Sequence, residues 1–372
     1  MAERSRIVLK SGKDQSLRRY HPWVFSGAIK KIHGTAREGD LVDLYDNKDE
    51  FLASGHYQQG SIAVRVISFE AVETDQLFWD NKLANAWNLR EKLGLLSEPQ
   101  TNVFRWINAE GDGMPGLIVD YYDGAAVIQM HSIGMYRNLD AIVESMKKTA
   151  GDQLHTIYNK SDSSLPDKPG ITARSGFLMG KQERGEVKEN GYRFYVNWVE
   201  GQKTGFFIDQ RENRKLVGAY SRGRKVLNMF GYTGGFSIYA LGGGAALVHS
   251  VDSSGKATDL TRENGELNFP GDARHEAYAK DAFGYFKDLK DAYDLIILDP
   301  PAFAKHQNVL NNALQGYKRL NQRAFEAISP GGILFTFSCS QAVSRENFRK
   351  SVFVAAANAQ RKVRVLHQLS QP

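Results

Sequence analysis

From Lys225 onward the chain alternates short apolar runs with helix-like stretches, and that alternation restricts its fold more than any other feature. Strand-like runs at 226–230, 247–251, 275–279, 294–298 and 332–338 are separated by helical patterns near 236–241, 256–267, 282–288 and 312–328. A helix at 344–359 and a strand at 363–368 continue the rhythm. Apolar strands joined by helices predict a doubly wound, mostly parallel sheet of the α/β class. In such a sheet ligands bind outside the carboxyl ends of the strands. Three runs end there in chemical groups: the turn Gly231-Tyr232-Thr233-Gly234-Gly235, the segment Asp299-Pro300-Pro301-Ala302-Phe303, and Ser338-Cys339-Ser340. The expectation is one crevice that holds all three.

At 372 residues the chain is long for one domain, since about 150 residues per domain is usual. The expected divisions are 1–72, 73–185 and 186–372. The first reads as β segments at 7–10, 41–45, 51–57 and 62–67, with a hairpin connection at Asp46-Asn47-Lys48-Asp49, and predicts a small, partly closed barrel. The second opens with a helix within 74–93, followed by strands at 103–107, 117–121 and 125–130, a helix at 136–148 and a strand at 155–159. This is a small α+β module. The stretch 160–185, polar and carrying Pro166 and Pro169, reads as a connection between domains. A strand at 192–198 and a helix at 211–220 then lead into the sheet.

The formal charge of +6 and a pI near 9.1 suit a polyanionic partner. Before the first hairpin, Arg18, Arg19 and Trp23 could hold phosphates and stack on bases; equally, Trp23 could be core and the arginines a solvated edge. A single cysteine excludes an internal disulfide framework, and nine dispersed histidines give no metal-ligand spacing, so no metal is expected. No run is long and apolar enough to span a bilayer and the first residues lack an apolar signal core, which predicts a cytoplasmic protein without a membrane partner.

A strand, a glycine turn and a helix offer backbone amides to a polar or anionic ligand. Asp252 ends the next strand about 20 residues after the turn, where a carboxylate would accept from ribose hydroxyls. The spacing Gly231-x-x-Gly234-Gly235 departs from Gly-x-Gly-x-x-Gly, which disfavours a nicotinamide dinucleotide. Asp281 could bond a nucleoside base or merely cap a helix. The stretch 201–211, glycines and polar donors interleaved with aromatics, is either a turn with a helix cap or a lid over a small molecule.

Two prolines in succession force the chain out of the strand and display Asp299, and Phe303 adds a surface on which a flat base could stack. Carbon-5 of a pyrimidine is too poor a nucleophile to take a methyl group directly. A thiolate adding to carbon-6 makes carbon-5 electron-rich; Cys339 could be that thiol, with Asp299 bonding or protonating N3. A lone cysteine at the end of an apolar strand is also commonly a small buried hydrophobe.

Taken together, Gln202-Lys203-Thr204-Gly205-Phe206-Phe207 with Asp209-Gln210-Arg211, Phe230 to Phe236, Asp299-Pro300-Pro301 and Phe337-Ser338-Cys339-Ser340 resemble the S-adenosylmethionine-dependent 23S rRNA 5-methylcytosine methyltransferases that carry an N-terminal PUA domain. His21-Pro22-Trp23-Val24-Phe25-Ser26-Gly27 resembles the start of that PUA domain, and Glu110 to Asp120 the family's central module. The resemblance implies a Rossmann-like class I methyltransferase domain, preceded by a PUA-like β-barrel and a small α+β domain. It implies S-adenosylmethionine as cofactor, ribosomal RNA of the large subunit as partner, and Cys339 and Asp299 as catalytic residues. The cofactor set it suggests is Lys203, Thr204, Gly205, Phe206, Asp209, Arg211, Asn228, Phe230, Gly231, Tyr232, Thr233, Gly234, Gly235, Asp252, Ser253, Asn264, Asp281, Ala282, Asp299, Pro300 and Pro301. Arg18, Arg19, Trp23 and Phe303 would meet RNA, and a homodimer is an open option. Two departures stand out: Ala302 and Phe303 replace a second cysteine beside the prolines, and one more strand is expected after 363–367, which suggests a missing tail. Rival readings are methylation of an exocyclic base nitrogen with Cys339 structural, and a non-catalytic RNA-binding protein.

Overall fold

The computed structural model describes residues 4–287, 289–304 and 309–370. The chain divides into two compact units, one made of residues 1–187 and 197–206, the other of 188–196 and 207–372.

The first unit contains two sheets. Strands β1 (Arg6–Leu9), β2 (Trp23–Phe25), β3 (Ile29–His33), β4 (Leu41–Tyr45), β5 (Phe51–Tyr57) and β6 (Ile62–Ser68) form a six-stranded sheet ordered β2-β6-β5-β4-β1-β3. Its pairs are antiparallel except β1 with β4. Alternate residues such as Val42, Leu44, Val64 and Val66 point into one core. Strands β2 and β3 were not legible as strands; β2 takes Trp23, Val24 and Phe25 from the aromatic stretch considered for base stacking.

Helix α1 (Gln76–Lys92), whose N-cap Asp75 accepts from the Phe78 amide at 2.9 Å, begins the second layer. Strands β7 (Val103–Asn108), β8 (Leu117–Tyr122) and β9 (Ala125–Met130) run as an antiparallel meander. Helices α2 (Ile133–Arg137) and α3 (Leu139–Ala150) lead to β10 (Thr156–Asn159), which is parallel to β9. Trp79 and Leu83 of α1 and Ile142 and Met146 of α3 share a core with Trp106 and Ile128 of the sheet. Strand β11 (Gly176–Met179) then pairs antiparallel with β10. The stretch 160–185 is therefore more than a connection: within its polar, proline-bearing surroundings the short apolar run Gly176-Phe177-Leu178-Met179 forms an edge strand, too brief for periodicity to mark it.

Strands β12 (Arg184–Glu189) and β13 (Tyr192–Asn197) form a two-stranded sheet. The second unit continues with α4 (Arg211–Tyr220), β14 (Lys225–Met229), α5 (Gly235–Gly242), β15 (Leu247–Asp252), α6 (Gly255–Asn268), β16 (His275–Ala279), α7 (Ala282–Tyr285), β17 (Tyr293–Leu298), α8 (Leu310–Ala327), β18 (Ile328–Thr336) and α9 (Arg345–Asn358). The five strands are all parallel and ordered β16-β15-β14-β17-β18. Val226, Leu295 and Ile297 pack with α4 and α5 on one face, while Leu227, Met229, Ile296 and Leu298 pack with α7 and α8 on the other. The strand order reverses at β14, so a crevice opens at the carboxyl ends of β14 and β17.

The strand expected at 363–368 does not form. Residues 361–370 take no regular structure, and Val363, Val365 and Leu366 are exposed. Apolar alternation marks a strand only where a neighbouring ladder receives it, and β18 pairs with β17 alone. Residue 288, at the end of the expected helix 282–288, lies outside the described residues. No helix is long and apolar enough to cross a membrane among the described residues.

Candidate active site

The glycine turn leaves β14 through two left-handed residues, Phe230 at φ 61° and Tyr232 at φ 46°. Such conformations cost about 1–3 kcal/mol each and persist only where neighbours over-determine them. Here the Gly231 amide donates to the Val251 carbonyl at 3.1 Å and the Tyr232 amide to Asp252 Oδ2 at 3.1 Å. From α6, Thr261 Oγ1 donates to the Tyr232 carbonyl at 2.9 Å and Asn264 Nδ2 to the Thr233 carbonyl at 2.8 Å. Gly234 lies at φ 77°, and a Cβ there would come within 2.9 Å of Thr261 Cγ2. Glycine is thus required both by conformation and by space.

Asp252 does more than end β15: its second oxygen accepts from the Ser254 amide at 2.9 Å, so one carboxylate fixes the turn and the entry to α6. Ser253 beside it is exposed. Asn264 is fully buried and uses its amide on both sides, accepting from the Tyr195 amide at 2.8 Å as well as holding Thr233. Asp281 accepts from the Gly284 amide at 2.8 Å and caps α7, while Ala282 is buried in the core. Within β14, Asn228 Nδ2 donates to Ser237 Oγ at 2.8 Å, which in turn meets Ser250 Oγ at 2.7 Å. Asn228 Oδ1 is buried and has no hydrogen-bond partner among the described residues. An orphaned buried acceptor beside a glycine turn calls for a donor from outside the protein.

Asp299 leaves β17 half-buried, with Pro300 buried behind it. Gln210 Nε2 donates to Asp299 Oδ2 at 3.1 Å, and Asn213 Nδ2 donates to Gln210 Oε1 at 2.7 Å, which fixes the Gln210 amide so that its NH2 group faces the carboxylate. Burial, reinforced by the like charge of Asp209, pushes the Asp299 carboxyl up to about 7, against the pull of Arg214 and Gln210. Arg214 is itself buried in a bidentate pair with Glu189, at 2.8 and 2.6 Å, and donates to the Phe207 carbonyl at 3.0 Å. Tyr239 OH also donates to Glu189 Oε1 at 2.9 Å. This cluster anchors the residues that carry Asp209 and Gln210; Arg211, by contrast, pairs with its neighbour Glu212 at 3.1 Å.

Cys339 is exposed, and its Sγ lies 3.7 Å from the Pro300 carbonyl. The lone thiol is therefore not a core hydrophobe: it faces out beside the first residue of the double proline. Phe303 packs on Tyr317 with ring centroids 4.6 Å apart, and so supports the loop from behind. Tyr317, Gln210 and Asn213 were absent from the expected site. Gln210 and Tyr317 act on residues 89 and 21 positions away, and Asn213 acts only through Gln210, three positions before it.

The remaining expected residues fall in the first unit. Thr204 is buried, donating to Asp120 Oδ2 at 2.6 Å and accepting from Tyr122 OH at 2.9 Å; Lys203 takes a left-handed φ of 52° and is exposed, and Gly205 and Phe206 are buried. Arg18 is engaged by Asp14 at 2.6 Å, Asp46 at 2.9 Å and Glu50 at 3.1 Å, so its charge is met inside the domain. Arg19 is exposed, and Trp23 donates from Nε1 to Glu110 at 2.9 Å while lining a cavity of about 360 Å³ with Lys13, Ser16 and Phe25. Among the described residues no group of three or more His, Cys, Asp or Glu side chains could hold a metal ion.

Comparison with known proteins agrees with this architecture. A family model described as S-adenosylmethionine-dependent methyltransferase matches residues 125–369, and one described as a PUA-like domain matches residues 7–69. The chain is 39% identical over 373 residues to Ribosomal RNA large subunit methyltransferase I of Alteromonas mediterranea, covering 99% of this chain and 93% of the relative. It is 38% identical over 372 residues to the protein of the same name from Aliivibrio fischeri, covering 98% and 93%. Among solved structures, SMU.776 complexed with SAH superimposes with a TM-score of 0.84 at 24% identity, over 99% of this chain and 94% of that one.

Proposed function

Since this chain belongs to the S-adenosylmethionine-dependent methyltransferase family, we propose that it methylates carbon-5 of a cytosine in large-subunit ribosomal RNA, with Cys339 as nucleophile. The observation that carries the reading is the exposed thiol 3.7 Å from the carbonyl of Pro300, the residue that follows Asp299 in the chain. The names of the relatives supply the RNA class.

S-adenosylmethionine, when bound, supplies an electrophilic methyl group. The groups that fit it are the 231–235 turn, Asp252 for the ribose hydroxyls, Asn228 Oδ1 as an unused acceptor, and Asp281, whose cap to α7 leaves a second oxygen for a base amine. Asp209, Arg211 and the Asp299-Pro300-Pro301 backbone complete the proposed set within the second unit.

Cys339 Sγ, as thiolate, forms a bond to carbon-6 of the cytosine, and the ring electrons move toward carbon-5 and N3. A carboxyl near pH 7 can give its proton to N3 and neutralise the ring, which is the part of Asp299. Once carbon-5 carries its methyl group, loss of the carbon-5 proton to a base breaks the sulfur–carbon-6 bond and frees Cys339. N3 returns its proton to Asp299, so the enzyme is regenerated. Arg19 and Trp23 remain candidates for RNA contact; Arg18, saturated by three carboxylates, is better suited to holding the domain together. The decisive experiment incubates unmodified ribosomal RNA with labelled methyl donor and identifies the product nucleoside. 5-Methylcytidine is expected, and an N-methylated base would overturn the reading.

A further inference from the structure

Tyr317 lies on α8, is fully buried, and takes no part in the chemistry above. Its ring is clamped between Phe303, centroids 4.6 Å apart, and Phe348, at 5.2 Å and edge-on. Its hydroxyl does something separate from packing. It accepts from Ser338 Oγ at 2.9 Å and shares a hydrogen bond with Ser340 Oγ at 2.8 Å, so one phenol holds both residues that flank Cys339. Ser340 Oγ also accepts from the Ala304 amide at 3.1 Å. The segment after β18 is thereby stapled to the segment that follows the double proline. With Ser338 and Ser340 both turned onto Tyr317, Cys339 between them is left on the exposed side, near the Pro300 carbonyl.

Resting on the carbon-5 reading, we propose that Tyr317 is a positioning residue: its hydroxyl, through Ser338 and Ser340, aims the Cys339 thiol at carbon-6 of the substrate base. A buried hydroxyl that served packing alone would be satisfied by one partner; this one spends two hydrogen bonds on the residues either side of the nucleophile. Misplacement of a reacting atom by about an ångström can slow a reaction roughly 100-fold without weakening ground-state binding.

Tyr317→Phe keeps the ring between Phe303 and Phe348 and removes only the hydroxyl. The variant is expected to lose about 10- to 100-fold in kcat for methyl transfer, while KM for RNA stays within about twofold. RNA carrying 5-fluorocytidine gives a second reading. After sulfur adds to carbon-6 and carbon-5 is methylated, fluorine cannot leave as the proton does, so elimination stops and the protein remains covalently attached. Tyr317→Phe should form this adduct more slowly by the same factor as the loss in kcat. Alkylation by iodoacetamide, which any exposed thiol undergoes, should stay within about twofold of wild type, and the single cysteine makes that rate unambiguous. Wild-type rates of transfer and trapping in Tyr317→Phe would overturn the proposal. So would a fall in alkylation matching the fall in trapping, since the hydroxyl would then govern intrinsic reactivity rather than aim. Should Tyr317→Phe not fold, Ser338→Ala removes one arm and leaves the ring untouched, and the same split between trapping and alkylation is required of it. Failure of the wild-type protein to form any adduct would instead remove the carbon-5 reading itself.

Discussion

The turn after β14 and the two segments after β17 and β18 leave the same edge of one parallel sheet, yet they are held by opposite means. The turn is held through its backbone: neighbouring side chains seize its carbonyls and amides, and three positive-φ positions, Phe230, Tyr232 and Gly234, are fixed by α6 and Asp252. The segments with Asp299 and Cys339 are held through side chains, by Gln210 on one and by Tyr317 on the other. A backbone cradle suits a ligand bound by shape and amides. A side chain held by another side chain suits a group that must be aimed or must change protonation. On the proposed function, the first region would set affinity for the methyl donor and the second the rate.

The largest effect should come from the second region. Cys339→Ala is expected to lower methyl transfer by about 1000-fold or more while leaving S-adenosylmethionine affinity unchanged, measured by label incorporation and calorimetry. Full activity would assign the thiol a structural part and return the exocyclic-nitrogen reading.

Asp299→Asn is next. Because burial raises the folded-state carboxyl to about 7 from its ordinary 3.8, the native state holds a proton that the unfolded chain gives up between those values. Wild-type stability should therefore fall as pH rises from about 4 to about 7 and level off above. The asparagine variant lacks that penalty, and its melting advantage should reach about 2–4 kcal/mol at pH 8 and vanish near pH 4. Its activity should nevertheless be lower at every pH. A melting difference independent of pH would show that the carboxyl is not raised.

In the first region, Gly234→Ala meets both a left-handed φ and the Thr261 methyl group. It should weaken S-adenosylmethionine binding about tenfold, with a smaller change in kcat at saturating donor. A change in kcat alone would blur the division of labour.

The smallest effect belongs to Asp281→Ala. Loss of the α7 cap costs about 1 kcal/mol of stability. A melting shift without a change in donor affinity would leave Asp281 a cap only, whereas a fall in both would give it a share in the first region.

Much of the second unit was legible from its residues. Runs such as 295–298, apolar at every position and alternating with helical patterns, suit strands covered on both faces of a parallel sheet, and the glycine turn and the double proline mark where those strands stop. Edge elements were less visible: β11 is four residues long and set in a polar stretch, and the apolar alternation at 363–368 finds no ladder to join. At the site, Asp299 and Cys339 were conspicuous because strand ends display them. Gln210 and Tyr317 were not, since only the folded chain brings them to the groups they hold, and Asn213 acts through Gln210. Arg18 shows the converse, a cation that looked available in one dimension and is met by three acids in the other two.

The exposure of Cys339 has a cost that follows from its being alone. An accessible thiol is open to a peroxide, and the sulfenic acid that results cannot be resolved by a second cysteine within these 372 residues. Recovery must then come from an outside reductant such as glutathione, and the enzyme's working lifetime would follow the redox poise of its surroundings.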